Sequence, residues 1–276
     1  MAAYVPFAGK NSIVEAVFGL HFAQPLVPQI TQKFDALRSE FIADLPSFEK
    51  MQMIQLTVGP QQQWGTPGSG GGPTPVVGGF NAAKFRADGK QSRALRGMAN
   101  FLSVHFLEYE RWAETKTDAL SFLDRCFRIL DLPSVQNPLV GVELRFIDRF
   151  TYDGDPAAAS ASQLLKTTTK FVSPKIFGAD NLWHCNSGWF DTLWPEQKCM
   201  NQLEVQSILD GSAVVIVSHN AQCNLVAPFK SIQEIKNIPS PRFPLEKVFD
   251  AQHVANSMIL KDLLSEKILK NIGLIG

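Results

Sequence analysis

The sequence predicts an α+β fold with two similar halves, each an antiparallel sheet covered by a long helix. Several segments alternate apolar and polar residues, as half-buried strands do, and others carry apolar residues at helical spacing. Asp-Gly pairs, typical of tight hairpins, separate strand-like runs in both halves. Residues 12–130 and 139–270 repeat the same order of elements with negligible sequence identity. The predicted domains are therefore residues 1–134 and 135–276.

Composition limits the classes of partner. The chain has 276 residues, and its 26 Lys and Arg balance 26 Asp and Glu. Without net charge there is no global field to attract a polyanion or an anionic membrane. The N-terminus lacks a signal segment and no apolar run is long enough to cross a bilayer, so a cytoplasmic protein without a membrane partner is expected. Four cysteines are too few for a secreted disulfide scaffold, so reduced thiols are expected.

The first half opens with a strand and a helix. Residues 12–23 alternate as a strand with one buried face, and residues 30–41 have the spacing of an amphipathic helix that ends before Pro46. Residues 51–58 return to strand spacing. Residues 59–79 are rich in Gly and Pro and predict a mobile loop. This loop lacks the Gly-Lys-Ser or Gly-Lys-Thr of a phosphate-binding loop, which argues against a nucleotide site.

Residues 80–107 predict a meander with turns at Asp88-Gly89 and at residues 98–100. This is the most basic segment of the chain. Its cationic residues are Lys84, Arg86, Lys90, Arg93 and Arg96. Solvated edge strands protected by charge are the simpler interpretation, and contact with nucleic-acid phosphates is the alternative. Residues 117–130 then predict a helix with Thr117 as its cap and Cys126 in the core.

A central strand over residues 137–153 begins the second half. Alternation places Asp148 on the same face as the apolar residues, where a carboxylate needs Arg or backbone N–H partners. The polar cluster of this strand consists of Glu143, Arg145, Asp148 and Arg149. Because opposite charges interleave, ion pairing on a strand face is the simple account of the cluster.

Three short segments carry a resemblance to a known family. Leu144-Arg-Phe-Ile-Asp-Arg149 is similar to the central Leu-Arg-Tyr-Ile-Asn-Arg pattern of a sporadically distributed prokaryotic family of about 250 residues and unknown function. Ser12-Ile-Val-Glu-Ala-Val-Phe18 resembles its start, and His253 with Leu264-Ser-Glu-Lys267 resembles its end. Phe146 and Asp148 stand where the family has Tyr and Asn. The resemblance implies a fold and a prokaryotic source, and it implies no chemistry.

Residues 156–166 are rich in Ala and Ser and predict a short helix. The rest of the second half contains a tryptophan-rich stretch, two strands and a long helix. Residues 181–195 include Trp183, Trp189 and Trp194 in what reads as an irregular segment. These rings form either a small aromatic core or an exposed surface for a partner. Strands over residues 203–209 and 213–219 are joined at Asp210-Gly211. A long amphipathic helix is predicted over residues 245–270.

No recognisable catalytic motif is present, so no catalytic residues and no cofactor are predicted. His184, Cys185, Cys199, His219 and Cys223 are ligand types that zinc accepts, but their spacing offers no closed set of four, and no metal is expected.

The favoured function is a non-catalytic protein-binding or regulatory accessory factor, such as one of an antiviral defence or toxin–antitoxin locus, with a partner encoded nearby. The alternatives are a motif-less enzyme, such as a metal-dependent nuclease, and a nucleic-acid-binding module. The nuclease would use the acids Glu143, Asp148, Asp153 and Asp155. The nucleic-acid module would use the hairpin over residues 84–96. Sequence does not give the oligomeric state.

Overall fold

One large antiparallel sheet organises the protein. The computed structural model describes residues 2–55, 74–194, 197–236 and 245–275. The strands are β1 (Tyr4–Pro6), β2 (Ile13–Phe22), β3 (Ser47–Gln55), β4 (Thr74–Phe85), β5 (Gln91–Met98), β6 (Phe101–Phe106), β7 (Leu139–Tyr152), β8 (Trp183–Trp194), β9 (Gln197–Leu209) and β10 (Ala213–Phe229). Their order is β3-β4-β5-β6-β2-β7-β10-β9-β8, and β1 pairs with β7.

Five helices accompany the sheet in the described part of the chain, and the α+β class is confirmed. They are α1 (Val27–Phe41), α2 (Trp112–Leu130), α3 (Ile232–Lys236), α4 (Leu245–Leu263) and α5 (Glu266–Asn271). Short 3₁₀ turns cover Pro156–Ala158, Ala161–Gln163 and Pro174–Gly178. Among these described helices, none combines the length and apolarity that a membrane crossing requires.

The pairing of β2 with β7 makes the sheet continuous between the first and second parts of the chain. The strands run antiparallel, with Ala16 opposite Phe146 and Leu20 opposite Val142. Their alternate apolar side chains point to one face, because successive residues of a strand project to opposite sides. That face carries the helices and the core.

Two clusters of buried side chains form the core. The first packs α1, α2 and the start of α4 against β2, β4, β5, β6 and β7. The second packs the end of α4 and α5 against the end of β7 and strands β8, β9 and β10. Phe146 belongs to the first cluster and Phe150 to the second, so Asp148 lies between them along β7.

Three helix predictions need correction. The helix α2 begins at Trp112, and Thr117 lies inside it, where its hydroxyl donates to the carbonyl of Ala113 instead of capping the helix. The predicted single helix over residues 245–270 is two helices, because the amide of Ser265 donates to the carbonyl of Leu164 and interrupts the α-helical ladder. Residues 156–166, predicted as a short helix, form two 3₁₀ turns.

Two strand predictions were also incomplete. The irregular segment predicted over residues 181–195 is largely the regular strand β8, which pairs with β9 along its length. The strand β4 begins at Thr74, inside the predicted mobile loop. The rest of that loop up to residue 73 lies outside the described residues.

The predicted hairpin turns are confirmed. Asp88-Gly89 joins β4 to β5 through a loop closed by Arg86 and Lys90, in which Gly89 has φ +78°, a value that glycine adopts without steric cost. The turns after Met98 and at Asp210-Gly211 join their strands as predicted.

The expectation of reduced thiols is wrong for two cysteines. Cys199 and Cys223 stand directly opposite each other on β9 and β10, with 4.1 Å between their Cα atoms, and form a disulfide. Because the cysteines lie on different strands, their pairing depends on a register that the cysteine count does not reveal. Cys126 is a free thiol in the core, as predicted, and Cys185 is free and half-buried.

Candidate functional site

The candidate site is a cleft of about 790 Å³ between the last strand of the sheet and helix α4. One wall is the second half of β8, from Ser187 to Leu193. The opposite wall is the exposed side of α4 near Met258 and Asp262, and the segment around Phe171 closes one end. A cleft of this size holds a small molecule or several side chains of a partner.

The Trp189 side chain is held in one orientation within the cleft. Its ring packs against Phe171 at 4.9 Å between centroids. Its indole N–H donates a hydrogen bond of 2.7 Å to the carboxylate of Asp191. On the sheet side, the ring lies nearly parallel to the imidazole of His219, at 6.3 Å and 12°. Trp189 is thus a half-buried aromatic side chain with its polar atom already satisfied.

A chain of polar groups runs from Trp189 into the core. The amide of Asn201 donates to Asp191 at 3.2 Å, and the carbonyl of Asn201 faces Nε2 of His219 at 3.1 Å. Nδ1 of His219 lies 3.0 Å from the side-chain carbonyl oxygen of Asn256 on α4. Burial lowers the pKa of His219 to about 4, so the ring is neutral at physiological pH. A neutral ring carries one proton and donates one hydrogen bond, and both ring nitrogens face an acceptor, Oδ1 of Asn201 and Oδ1 of Asn256.

The end of the cleft is tied to α4 and to β8. The hydroxyl of Thr169 donates to Oδ1 of Asp262 at 2.7 Å, and the backbone amide of Lys170 lies 3.4 Å from the same oxygen. The hydroxyl of Ser187 donates to the carbonyl of Phe171 at 2.7 Å. These bonds fix the segment that carries Phe171 between the helix and the strand.

The cleft has an excess of negative charge. Asp191 and Asp262 line it, and Lys170 is the single cation among the described residues of the lining. In each carboxylate one oxygen accepts hydrogen bonds from within the protein, namely Oδ2 of Asp191 and Oδ1 of Asp262. The second oxygen of each accepts no hydrogen bond from any described residue.

The structure separates the three tryptophans predicted as a group. Trp183 is 8% exposed and belongs to the core, which agrees with the aromatic-core interpretation and removes it from a partner surface. Trp189 lines the cleft. The side chain of Trp194 lies outside the described residues.

The polar cluster of the central strand is divided between the two faces of β7. Glu143, Arg145 and Arg149 lie on the face without helices: Glu143 bonds to His21 at 2.9 Å, Arg145 to Ser218 at 3.1 Å and Arg149 to Asp210 at 2.8 Å. Asp148 lies on the helix face. The acids proposed for a nuclease are therefore not gathered at one place; Asp155 caps a 3₁₀ turn and Asp153 accepts from the amide of Ala3.

Asp148 is buried on the core face, as predicted, but its partner is different. It accepts a hydrogen bond of 2.7 Å from the hydroxyl of Ser12, and no Arg or backbone N–H among the described residues bonds to it. Burial raises its pKa to about 6. Burial, and after it the charge of Asp148, raise the pKa of nearby Tyr109.

Part of each segment that carries the family resemblance lies around this point, whereas Leu264 of the third segment pairs with Leu165 in the second core cluster. Ser12 of the first segment bonds to Asp148 of the second. The ring of His253, from the third, packs against Phe146 of the second at 5.9 Å and stacks on Trp112 at 4.2 Å.

The basic hairpin is largely neutralised by nearby acids. Arg86 pairs with Asp88 at 3.1 Å and with Glu108 at 3.3 Å. Arg93 pairs with Asp118 at 2.9 Å. Arg96 bonds to the side chains of Asn81 and Gln91, whereas Lys84 and Lys90 are exposed. This pattern fits solvated strands better than a phosphate-binding surface.

A Ser–His–Glu series on the helix-free face was not predicted from the sequence. The hydroxyl of Ser103 is 2.9 Å from Nε2 of His105, and Nδ1 of His105 is 2.7 Å from Glu15. These are the contacts of an acyl-transfer triad. However, Ser103 is only 2% exposed, and the clefts described here are lined by other residues, so a substrate has no approach to its oxygen. The series ties β2 to β6.

Four of the five residues considered as zinc ligands contact other groups, and the fifth, Cys185, is a free thiol. Cys199 and Cys223 share the disulfide, His219 faces two asparagines, and His184 lies 3.6 Å from Glu204. Within the described residues, no three His, Cys, Asp or Glu side chains are grouped to hold a metal ion. No protein-family model, curated protein or solved structure matches this chain.

Proposed function

We propose that the protein is a binding module for another protein and that the partner docks on the Trp189 cleft. The observation that carries this proposal is the combination of a fixed Trp189 with an exposed apolar wall on α4. Met258 lines the cleft and is 67% exposed, and Val254, one helical turn before it on the same side of α4, is 56% exposed and extends the apolar surface beyond the cleft.

A partner that contacts this surface would gain a large binding free energy from a small interface area. Aromatic side chains in partly enclosed sites contribute most of the free energy at protein interfaces. The internal hydrogen bond of Trp189 and its packing on Phe171 restrict its rotamers before binding. A partner then loses little free energy to ordering this side chain.

The experiment is co-purification with the products of the neighbouring genes, because an accessory factor of a defence or toxin–antitoxin locus would have its partner there. We expect Trp189→Ala and Met258→Glu to weaken the complex by at least about tenfold. Phe85→Ala is the matched control, because Phe85 is 53% exposed and lies on β4, far along the sheet.

Thermal unfolding of each variant checks that the fold is retained. A complex that tolerates both cleft substitutions as well as it tolerates Phe85→Ala would place the interface elsewhere and contradict the proposal.

The alternative functions are tested on the same purified protein. Hydrolysis of DNA or RNA that depends on divalent metal and disappears with Asp148→Asn would support the nuclease. Binding of nucleic acid that disappears when Lys84 and Lys90 are both changed to Ala would support the nucleic-acid module, since both lysines are exposed.

We also propose that the two parts of the chain are related halves and that the chain belongs to the resembled family. The order β3-β4-β5-β6-β2 on one side and β7-β10-β9-β8 on the other supports the first idea, since each part starts at the centre of the sheet and ends beside its own first strand. The proximity of Ser12, Asp148, Phe146 and His253, which come from the three resembling segments, supports the second.

A further inference from the structure

We propose that the partner contributes an extended segment that pairs with the free edge of β8 and points a basic side chain into the cleft. This inference rests on the proposed function and names the element and the chemistry that the partner would present. It follows from the edge of the sheet, from the direction of the side chains and from the charge of the cleft.

The strand β8 is an unprotected edge. It is the last strand of the sheet, and among the described residues no strand pairs with its outer side. Its 12 residues contain no Lys, Arg or Pro and one acid, Asp191. Natural edge strands are normally blunted by charge, by Pro or by short length, because unpaired backbone groups attract another strand.

The opposite edge of the sheet gives the contrast. The strand β3 carries the charged pair Glu49 and Lys50 in its middle. Such charges on an edge oppose strand addition. The two edge strands of the sheet therefore differ in the way expected if a partner strand pairs with β8 and not with β3.

Only the second half of β8 is open. Near its start, the 3₁₀ turn Pro174–Gly178 packs against the strand, and Ser187 bonds to the carbonyl of Phe171. From Gly188 onward the strand borders the cleft. Gly188 also leaves space, since a Cβ added there would find its nearest neighbour at 3.7 Å.

The geometry of strand addition directs side chains into the cleft. Trp189, Asp191 and Leu193 line the cleft at alternate positions of β8. A strand added beside β8, at about 4.8 Å, would project every second side chain to the same face. Those side chains would lie between β8 and the apolar wall of α4.

The charge of the cleft selects a basic side chain. Asp191 and Asp262 each keep one carboxylate oxygen that accepts no hydrogen bond from a described residue, and Lys170 is the only cation among the described lining residues. An Arg or Lys on the added strand would meet both carboxylates while its methylene groups cover Met258.

The test uses the full chain and synthetic peptides. The probe is a fluorescein-labelled nine-residue peptide in which threonine alternates with leucine and arginine, and a matched peptide carries glutamate in place of arginine. By fluorescence anisotropy we expect the arginine peptide to bind at least about tenfold more tightly, because the cleft is anionic. Asp262→Asn keeps the acceptor for Thr169 and should remove most of this preference. Glu266→Gln, an equal charge change on α5, should not.

Backbone pairing is tested with two N-methylated versions of the arginine peptide, each blocking alternate amides. One register should abolish binding and the other should preserve it, because an added strand directs only every second amide toward its neighbour.

Equal binding by the two methylated registers would refute strand addition, and equal binding of the arginine and glutamate peptides would refute the charge selection. If no peptide binds while a protein partner is still lost on Trp189→Ala, this inference fails and the proposed function stands. If the peptides bind as expected but no protein encoded nearby does, the proposal that a neighbouring gene encodes the partner is contradicted, and the strand-addition site on β8 is supported.

Discussion

The hydroxyl of Ser12 donates a hydrogen bond of 2.7 Å to the carboxylate of Asp148, and both groups are buried. Ser12 lies just before β2 and Asp148 on β7, so this bond joins the two central strands of the sheet beside their backbone pairing. A buried carboxylate with a single hydroxyl partner is poorly compensated for the loss of water. Its pKa of about 6 reflects that loss.

Asp148 should make the protein less stable as pH rises from about 4 to about 6. Its folded pKa, about 6, exceeds the ordinary value of 3.8, so in this window the folded state binds more protons than the unfolded state and the unfolding free energy falls with pH. The Asp148→Asn variant removes the carboxylate charge and keeps an acceptor for Ser12. Its stability relative to wild type should rise by roughly 2 kcal/mol between pH 4 and pH 7. Urea unfolding at a series of pH values measures this difference; a difference independent of pH would contradict the assignment.

His219 should stay neutral down to about pH 5. Its folded pKa of about 4 lies below the ordinary 6.5, so its contribution to stability is complete above about pH 6.5 and is lost as pH falls toward 4. This slope opposes that of Asp148. NMR of the imidazole nitrogens should give one protonated and one bare nitrogen at pH 5.5, with the His219→Gln spectrum identifying the signals. Half-protonation near pH 6.5 would show that the ring is not buried as described.

Reduction of the disulfide should destabilise the fold. Cys199 and Cys223 are 24 residues apart. A disulfide that closes a loop of this length lowers the conformational entropy of the unfolded chain and raises the free energy of unfolding by about 3 kcal/mol. Denaturant unfolding with and without dithiothreitol measures the difference. The double variant Cys199→Ala and Cys223→Ala should not respond to the reductant. If wild type is equally insensitive, the thiols are not joined in the purified protein.

Two glycines of the sheet should respond differently to alanine. A Cβ on Gly79 would collide with the backbone carbonyl of Gly97 on the neighbouring strand, which cannot turn aside. We expect Gly79→Ala to cost roughly 2 kcal/mol or more. Gly188→Ala has space and should cost less than about 1 kcal/mol. Thermal unfolding of both variants distinguishes them, and similar melting temperatures would argue against the close contact of β4 with β5.

Strong periodicity made much of the fold predictable. The strand β2 and the helix α1 were found because their apolar residues repeat at a single period over ten or more residues. The strand β8 was not predicted, because its two faces do not differ in polarity. Gly188 and Phe190 point away from the helices, and the polar Ser187 lies beside Trp189 on the helix face. An edge strand with both faces mixed has no clear alternation.

The site was only half predictable for a different reason. Trp189 stood out by its residue type, but the groups that make the cleft around it come from distant segments. Asn201 reaches it through the pairing of β8 with β9, and Met258 through the packing of α4 on the sheet. Neither residue has a local sequence signal for a binding site. An asparagine in a strand and a methionine in a helix are common both as structural residues and as binding residues. The disulfide was missed for the same reason.

The central pairing of β2 with β7 means that the peptide bond between the two parts of the chain contributes little to keeping them together. Val135, 71% exposed, lies in the connection from α2 to β7. Across the junction, Trp112 and Lys116 of α2 both bond to Asp250 of α4, and Ser12 bonds to Asp148. If the chain is divided at Val135 and expressed as two polypeptides in the same cell, the two polypeptides should therefore associate. A split chain, each piece fused to half of a fluorescent protein, would become fluorescent only by rebuilding the sheet.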